Sequence, residues 1–213
     1  MKNKETLLNM LSGLVLQIFT IISGFILPKI VLSFFGSEVN GLVSSLNQFL
    51  SYIALVEGGV TSVIIANLYK PLVEKDRKKL SSIMVTANKF YRKIGFIFIV
   101  YTLILASLYP IFFNINFGYL YVFSLTLILS VNLLIQYMFS LSLKTILNAD
   151  KKGYIVNFTQ SFIVVCNVIF ALISVYIYPS IHVLKLISGA LFIIQPLIFG
   201  KCVRDRYEID WTA

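Results

Sequence analysis

The chain has 213 residues, of which 58% are hydrophobic and 13% charged, with a mean hydropathy of +0.88 and a net charge of +9. A water-soluble domain of this length carries roughly a quarter charged residues, so this composition excludes one and makes lipid the solvent for much of the surface. The positive charge would suit a nucleic-acid partner only if it gathered on one face among base-stacking aromatics, and its distribution along the chain excludes that partner too.

In chain order, six stretches reach the roughly 20 apolar residues a spanning helix needs: about 7–35, 39–69, 94–113, 119–143, 155–178 and 181–200. The expected fold is therefore an all-α polytopic membrane protein, a single bundle of about six transmembrane helices over 1–213. The first stretch follows Lys2 and Lys4 like a secretory leader, yet it is too long and lacks a small-residue cleavage site, so it reads as a retained span. Breaks are expected at Gly36, Pro71, Pro110 and Pro179. Residues 70–93 form a basic link, in which Asp76 can cap a helix that starts near Arg77 and runs into the third span.

Apart from Lys29 and Lys185, the 18 basic residues fall before the first span, in the even-numbered links or after the sixth span. All of these lie on one side of a six-span zigzag. Lys/Arg bias marks the cytoplasmic side, which places both termini there. Cys166 and Cys202 fit no disulfide framework or metal spacing. His182 lacks companion ligands, and no cofactor or metal is implied. An enzyme would need a constellation of acids, histidines or metal ligands within reach of one another, and none is visible.

Polar residues recur at helical spacing inside the apolar spans. Asn9, Gly13, Gln17, Thr20, Gly24 and Pro28 share one face of the first span. Asn40, Ser44, Gln48 and Ser51 share one of the second. Asn132, Gln136 and Ser140 mark the fourth, and Asn157, Gln160, Asn167 and Ser174 the fifth. Such stripes are either interhelical glue, averaging about 0.6 kcal/mol per bond, or the lining of a hydrated cavity. Glu57 sits about 28 Å below the turn at 36–39 by helical rise, at nearly the depth of Gln17. A Gln17–Glu57 hydrogen bond or a protonated Glu57 is expected, and Gly58-Gly59 could unwind the helix there and swing the acid inward. Lys29 and Lys185 either snorkel to headgroups or meet an anionic group in the cavity. The candidate substrate or cavity residues are thus Gln17, Lys29, Gln48, Glu57, Asn132, Gln136, Asn167 and Lys185.

Several short motifs occur in a specific order: Gly36, Asn40-Gly41-Leu42, Glu57-x-Gly59, Leu68-Tyr69-Lys70-Pro71-Leu72 and Tyr91-Arg92-x-Ile94-Gly95. "ILPKIVLSFFG" precedes them in part and "LNADKKGYI" follows the fourth span. Together they make most of the chain resemble the amino-terminal lobe of polysaccharide-type flippases of the multidrug/oligosaccharidyl-lipid/polysaccharide exporter superfamily. The resemblance implies a lobe that moves an undecaprenyl-pyrophosphate-linked oligosaccharide across the bacterial cell membrane by alternating access between two lobes. It implies membrane lipids and the lipid-linked oligosaccharide as partners, and a second lobe or another copy to complete the cavity. A cation-coupled multidrug antiporter of the same superfamily, with Glu57 as the coupling acid, and an inactive truncated membrane protein are the alternatives.

Overall fold

The computed structural model describes residues 2–57, 59–113 and 117–211. It is helical throughout: α1 (Lys2–Ser51), α2 (Ala54–Glu57), α3 (Val60–Glu74), α4 (Arg77–Phe112), α5 (Tyr119–Ile135), a π-helical turn (Gln136–Ser140), α6 (Leu141–Ala149), α7 (Gly153–Ile177), α8 (Ile181–Ala190), a 3-10 turn (Leu191–Ile193) and α9 (Ile194–Arg206). Five helical segments are long and apolar enough to cross a membrane. Their most apolar windows have a mean hydropathy of 1.8 to 2.2, yet only 11% to 33% of each window is buried. Phe25, Leu55, Leu120, Tyr176 and Ile177 point outward. In water that much apolar surface would collapse onto itself or onto another chain; in hydrocarbon it is the stable arrangement. The molecule is an all-α polytopic membrane protein.

The first of the five segments counts twice. Fifty helical residues would run about 75 Å, far beyond a hydrocarbon core of about 30 Å. Gly36 interrupts α1 with φ +83° and ψ 173°. The arm before it runs parallel to α7, with Asn9 beside Tyr154 and Phe34 against Tyr176. The arm after it runs antiparallel to α4, with Ser45 bonded to Tyr109 and the Phe49 carbonyl to Tyr101. The chain therefore reverses at Gly36, and six spans result. Both ends of the chain, the α3–α4 turn and the α6–α7 turn meet at one end of the bundle, called here the basic end.

Residues 70–93 are helical on either side of one tight turn. Helix α3 continues past Pro71 to Glu74, and α4 begins at Arg77. The Asp76 carboxylate accepts from the Lys79 amide as its N-cap, so the expected cap is present and only a tight turn separates the helices. Pro71 does not stop α3: its ring is buried, and its carbonyl accepts the amides that close the helix, the Asp76 one at 3.0 Å.

Packing falls into three clusters. Leu42, Leu46 and Leu50 of the second arm meet Phe98 of α4 and Leu125 of α5. Ile30 of the first arm meets Ala171, Val175 and Leu184. At the basic end Leu68, Met84, Ile146, Leu147 and Phe199 form the third. Gly95 lets α4 approach the π-helical turn: a Cβ there would lie 2.9 Å from Met138 Sδ.

The segment after α9 turns back and is tied to the two basic-end turns. Tyr207 donates to the Asp150 carboxylate and takes the Lys152 ammonium at 3.2 Å, Arg77 pairs with Glu208, and the Asp210 amide donates to Ser81 Oγ at 3.0 Å. Burial first, and then the bond to Asp150 with its negative charge, push the Tyr207 phenol well above its ordinary value.

Two outcomes follow. A Cβ at Gly36 would occupy backbone space open essentially to glycine alone, so Gly36→Ala should lower unfolding free energy by about 1–3 kcal/mol in denaturant titration of the detergent-solubilised protein. Gly24→Ala, on a regular helix with open space around it, should not. For Tyr207, the folded state keeps a proton that the unfolded chain releases, so its contribution is present below about pH 10 and is lost as pH rises further. Tyr207→Phe should therefore flatten the alkaline fall of Tm above about pH 10 in a pH series of thermal melts.

Candidate functional site

The eight residues singled out from sequence do not form one site. Asn132, Asn167 and Lys185 converge on one cavity, Glu57 lies in a second polar cluster nearer the basic end, and Gln17, Lys29 and Gln48 are on exposed faces.

The first site is a cavity of about 210 Å³ lined by Asn47, Ile128, Leu129, Asn132, Asn167, Lys185, Ser188, Gly189 and Phe192. Close packing of α8 on α5 builds it. Gly189 makes that approach possible, since a Cβ there would sit 3.2 Å from Val131 Cβ. Asn167 Oδ1 accepts from Ser188 Oγ at 2.6 Å, and Asn132 Oδ1 from the Leu133 amide at 2.7 Å. The Asn132 and Asn167 NH₂ groups, the Asn47 amide and the Lys185 side chain remain to face the cavity. Lys185 is in no ion pair among the described residues. The cavity is therefore rich in donors and carries positive charge, which suits an anionic or polyhydroxylated group. Asn47 and Ser188, which escaped the sequence reading, complete it. Ser188 lies on the face of α8 that also carries Lys185 and Leu184, a signal that only the packing of α7 makes meaningful.

The second site sits where the second span is broken. Turn residues Tyr52 and Ile53 follow α1, α2 lasts one turn, and Gly59 takes φ +78° ahead of α3. Gly58, the other glycine expected to unwind the helix, lies outside the described residues. The break brings Glu57 into contact with two hydroxyl groups, the first of which continues into a row of two more. Thr61 Oγ1 donates to one carboxylate oxygen, and Tyr137 OH reaches the other at 3.4 Å. Thr61 Oγ1 also lies 2.6 Å from Tyr91 OH, which is 3.2 Å from Thr145 Oγ1, and Thr145 donates to the Leu141 carbonyl at 2.7 Å. Tyr91 and Thr145 are fully buried.

This row of hydroxyls has two polarities. With Glu57 ionised, Tyr91 donates to Thr61 and Thr61 to the carboxylate. With Glu57 protonated, the donors can reverse, from Glu57 through Thr61, Tyr91 and Thr145 to the Leu141 carbonyl. One proton on Glu57 is thereby coupled to α4 and to α6, beside the π-helical turn.

The Gln17–Glu57 bond expected from depth is not formed. The first arm packs on α7, whereas Glu57 bonds Thr61 and the π-helical turn's Tyr137. Gln17 is exposed and makes no hydrogen bond among the described residues. Gln136 starts the π-helical turn, half-buried and outside the cavity lining. His182 is taken up by Ser124 Oγ at 2.9 Å and the Tyr121 carbonyl at 3.3 Å. Among the described residues no group of His, Cys, Asp or Glu could hold a metal ion.

The stripe on the first arm divides. Toward the basic end it is glue: Asn9 bridges the Lys151 carbonyl at 2.7 Å and the Tyr154 amide at 2.6 Å, and Asn157 donates to Ser12 Oγ at 3.1 Å. Beyond Gly13 it is open, with Gln17, Thr20, Gly24 and Pro28 exposed. Gly41, Ser44, Gln48 and Ser51 of the second arm are exposed as well.

Comparison with protein-family models, curated proteins and solved structures finds no match. The geometry itself therefore defines the class: a six-span helical membrane protein with two internal polar sites and two exposed polar stripes.

If the hydroxyls hold Glu57 as a unit, removing Thr61 Oγ1 strands part of a carboxylate at a cost of about 1–3 kcal/mol. A double-mutant cycle with Thr61→Val and Glu57→Gln, read by unfolding in detergent, should give a coupling energy above about 1 kcal/mol; simple additivity would refute the network.

Proposed function

We propose that this chain is one lobe of a two-lobe transporter that flips a lipid-linked oligosaccharide, carried on undecaprenyl pyrophosphate, across the bacterial cytoplasmic membrane for polysaccharide biosynthesis. Both termini and the basic end face the cytoplasm in this reading, which follows the Lys/Arg bias.

The observation that carries the reading is the pair of exposed polar stripes on α1. Polar side chains and bare glycine backbone avoid acyl chains, so Gln17, Thr20 and Gly24 on one arm and Ser44 and Gln48 on the other need water or a second protein surface in front of them. A second lobe across an aqueous cleft supplies both. The donor-rich cavity at Asn132, Asn167 and Lys185 supports the choice of cargo, since it offers donors to phosphate or sugar oxygens. The resemblance of the motifs from Gly36 to Gly95 to polysaccharide-type flippases points the same way.

A second reading, a cation-coupled antiporter, is favoured by a different observation: the hydroxyl row at Glu57, which suits binding and release of a proton.

The test is leaflet exchange of a fluorescent undecaprenyl-pyrophosphate oligosaccharide in vesicles containing the protein together with its second lobe or a second copy. Exchange should require the protein, and Lys185→Gln should slow it at least about tenfold, the loss of one charged hydrogen bond, with unchanged Tm. Absence of exchange, with proton-driven efflux of an organic cation that Glu57→Gln abolishes, would replace this reading with the second.

A further inference from the structure

We infer that the groove between α9 and the returning C-terminal segment binds the headgroup of an anionic phospholipid. This site is separate from both polar clusters and rests only on the chain being a membrane protein.

The groove has a volume of about 580 Å³ and opens at the basic end of the bundle. Its floor is apolar, formed by Leu143 and Leu197, and Gly200 keeps it clear. The atom closest to a Cβ at Gly200 would be Leu143 Cδ1, at 3.9 Å. Lys201 and Arg204 stand one turn apart on its rim, exposed and in no ion pair among the described residues. Glu208, the one acid in the described lining, is occupied by Arg77 and so leaves the two rim cations unneutralised. Trp211, half exposed, closes the far wall.

These features together select one class of ligand. The groove spans the last turns of α9, about 13 Å of helix by rise from Leu197 to Arg206, where an apolar bundle meets the headgroup layer. A phosphodiester offers oxygens to the Arg204 fork and a charge to Lys201, while the glycerol and first acyl carbons lie along Leu143 and Leu197. Free phosphate would forgo the apolar contact. A choline headgroup would bring its own cation against two others. A basic pocket at the membrane edge recognises anionic lipid by this combination of charge and apolar floor. The bonds of Tyr207, Glu208 and Asp210 to the rest of the basic end hold the groove's outer wall in place.

Trp211 is the chain's single tryptophan, which makes the site its own reporter. In vesicles of phosphatidylcholine carrying the full chain, brominated phosphatidylglycerol should quench Trp211 fluorescence at about a tenfold lower mole fraction than brominated phosphatidylcholine. Lys201→Ala with Arg204→Ala should erase that preference, and Gly200→Leu, which fills the floor and keeps both charges, should weaken it. Lys78→Ala with Lys79→Ala, outside the groove, should leave it intact, and inorganic phosphate should not compete. Circular dichroism confirms that each variant is folded. Equal quenching by the two lipids overturns the proposal, as does a preference that survives loss of both rim cations. Equal loss in the Lys78/Lys79 variant would assign the effect to general surface charge, and displacement by phosphate would assign it to a free anion; either result also overturns the lipid site.

Discussion

Hydrocarbon offers a peptide group nothing to bond with. Every exposed N–H or C=O in the spans must find its partner within the chain, and the rest of this structure follows from that demand. It forces helix onto stretches rich in Ile, Val and Phe, whose weak helical preference in water becomes irrelevant. It also means that each interruption needs compensation. The breaks at Gly36 and around Gly59 occur at glycine, where the backbone can turn without a Cβ penalty, and the one around Gly59 is lined by hydroxyls that satisfy the acid beside it.

The same constraint sorts side chains. In water the apolar ones would be inside and the charged ones outside. Here Leu, Ile and Phe cover the exterior, and the interior holds serines and threonines as well as aliphatic packing. Most of those hydroxyls return to the carbonyl one turn back, as Thr126, Ser161 and Thr159 do. Those that do not are informative. Thr61 and Tyr137 bond Glu57 directly, and Tyr91 reaches across to Thr61.

The two internal sites differ in character as well as place. The one at Lys185 combines a cation with amide donors beside open volume, as a group that receives a ligand does. The one at Glu57 is closely hydrogen-bonded and links α2, α3, α4, the π-helical turn and α6.

The spans, the reversal at Gly36, the Asp76 cap and the gathering of both termini at one end were all legible in the linear chain. They depend on local signals: apolar length, a glycine, a carboxylate three residues ahead of an amide, the placement of lysines. Azimuth was not legible. Which neighbour a helix face meets depends on how six rods pack, and that is decided by long-range fits such as Gly95 against Met138 and Gly189 against Val131. Tertiary structure alone therefore gave Glu57 its tyrosines instead of Gln17, drew Asn132, Asn167 and Lys185 into one cavity, and left Gln17 and Gln48 facing outward. Composition and periodicity determine that a chain lives in lipid and how often it crosses; the order of packing around the bundle axis determines which polar groups meet, because that order is a property of the surfaces in contact and of no single helix.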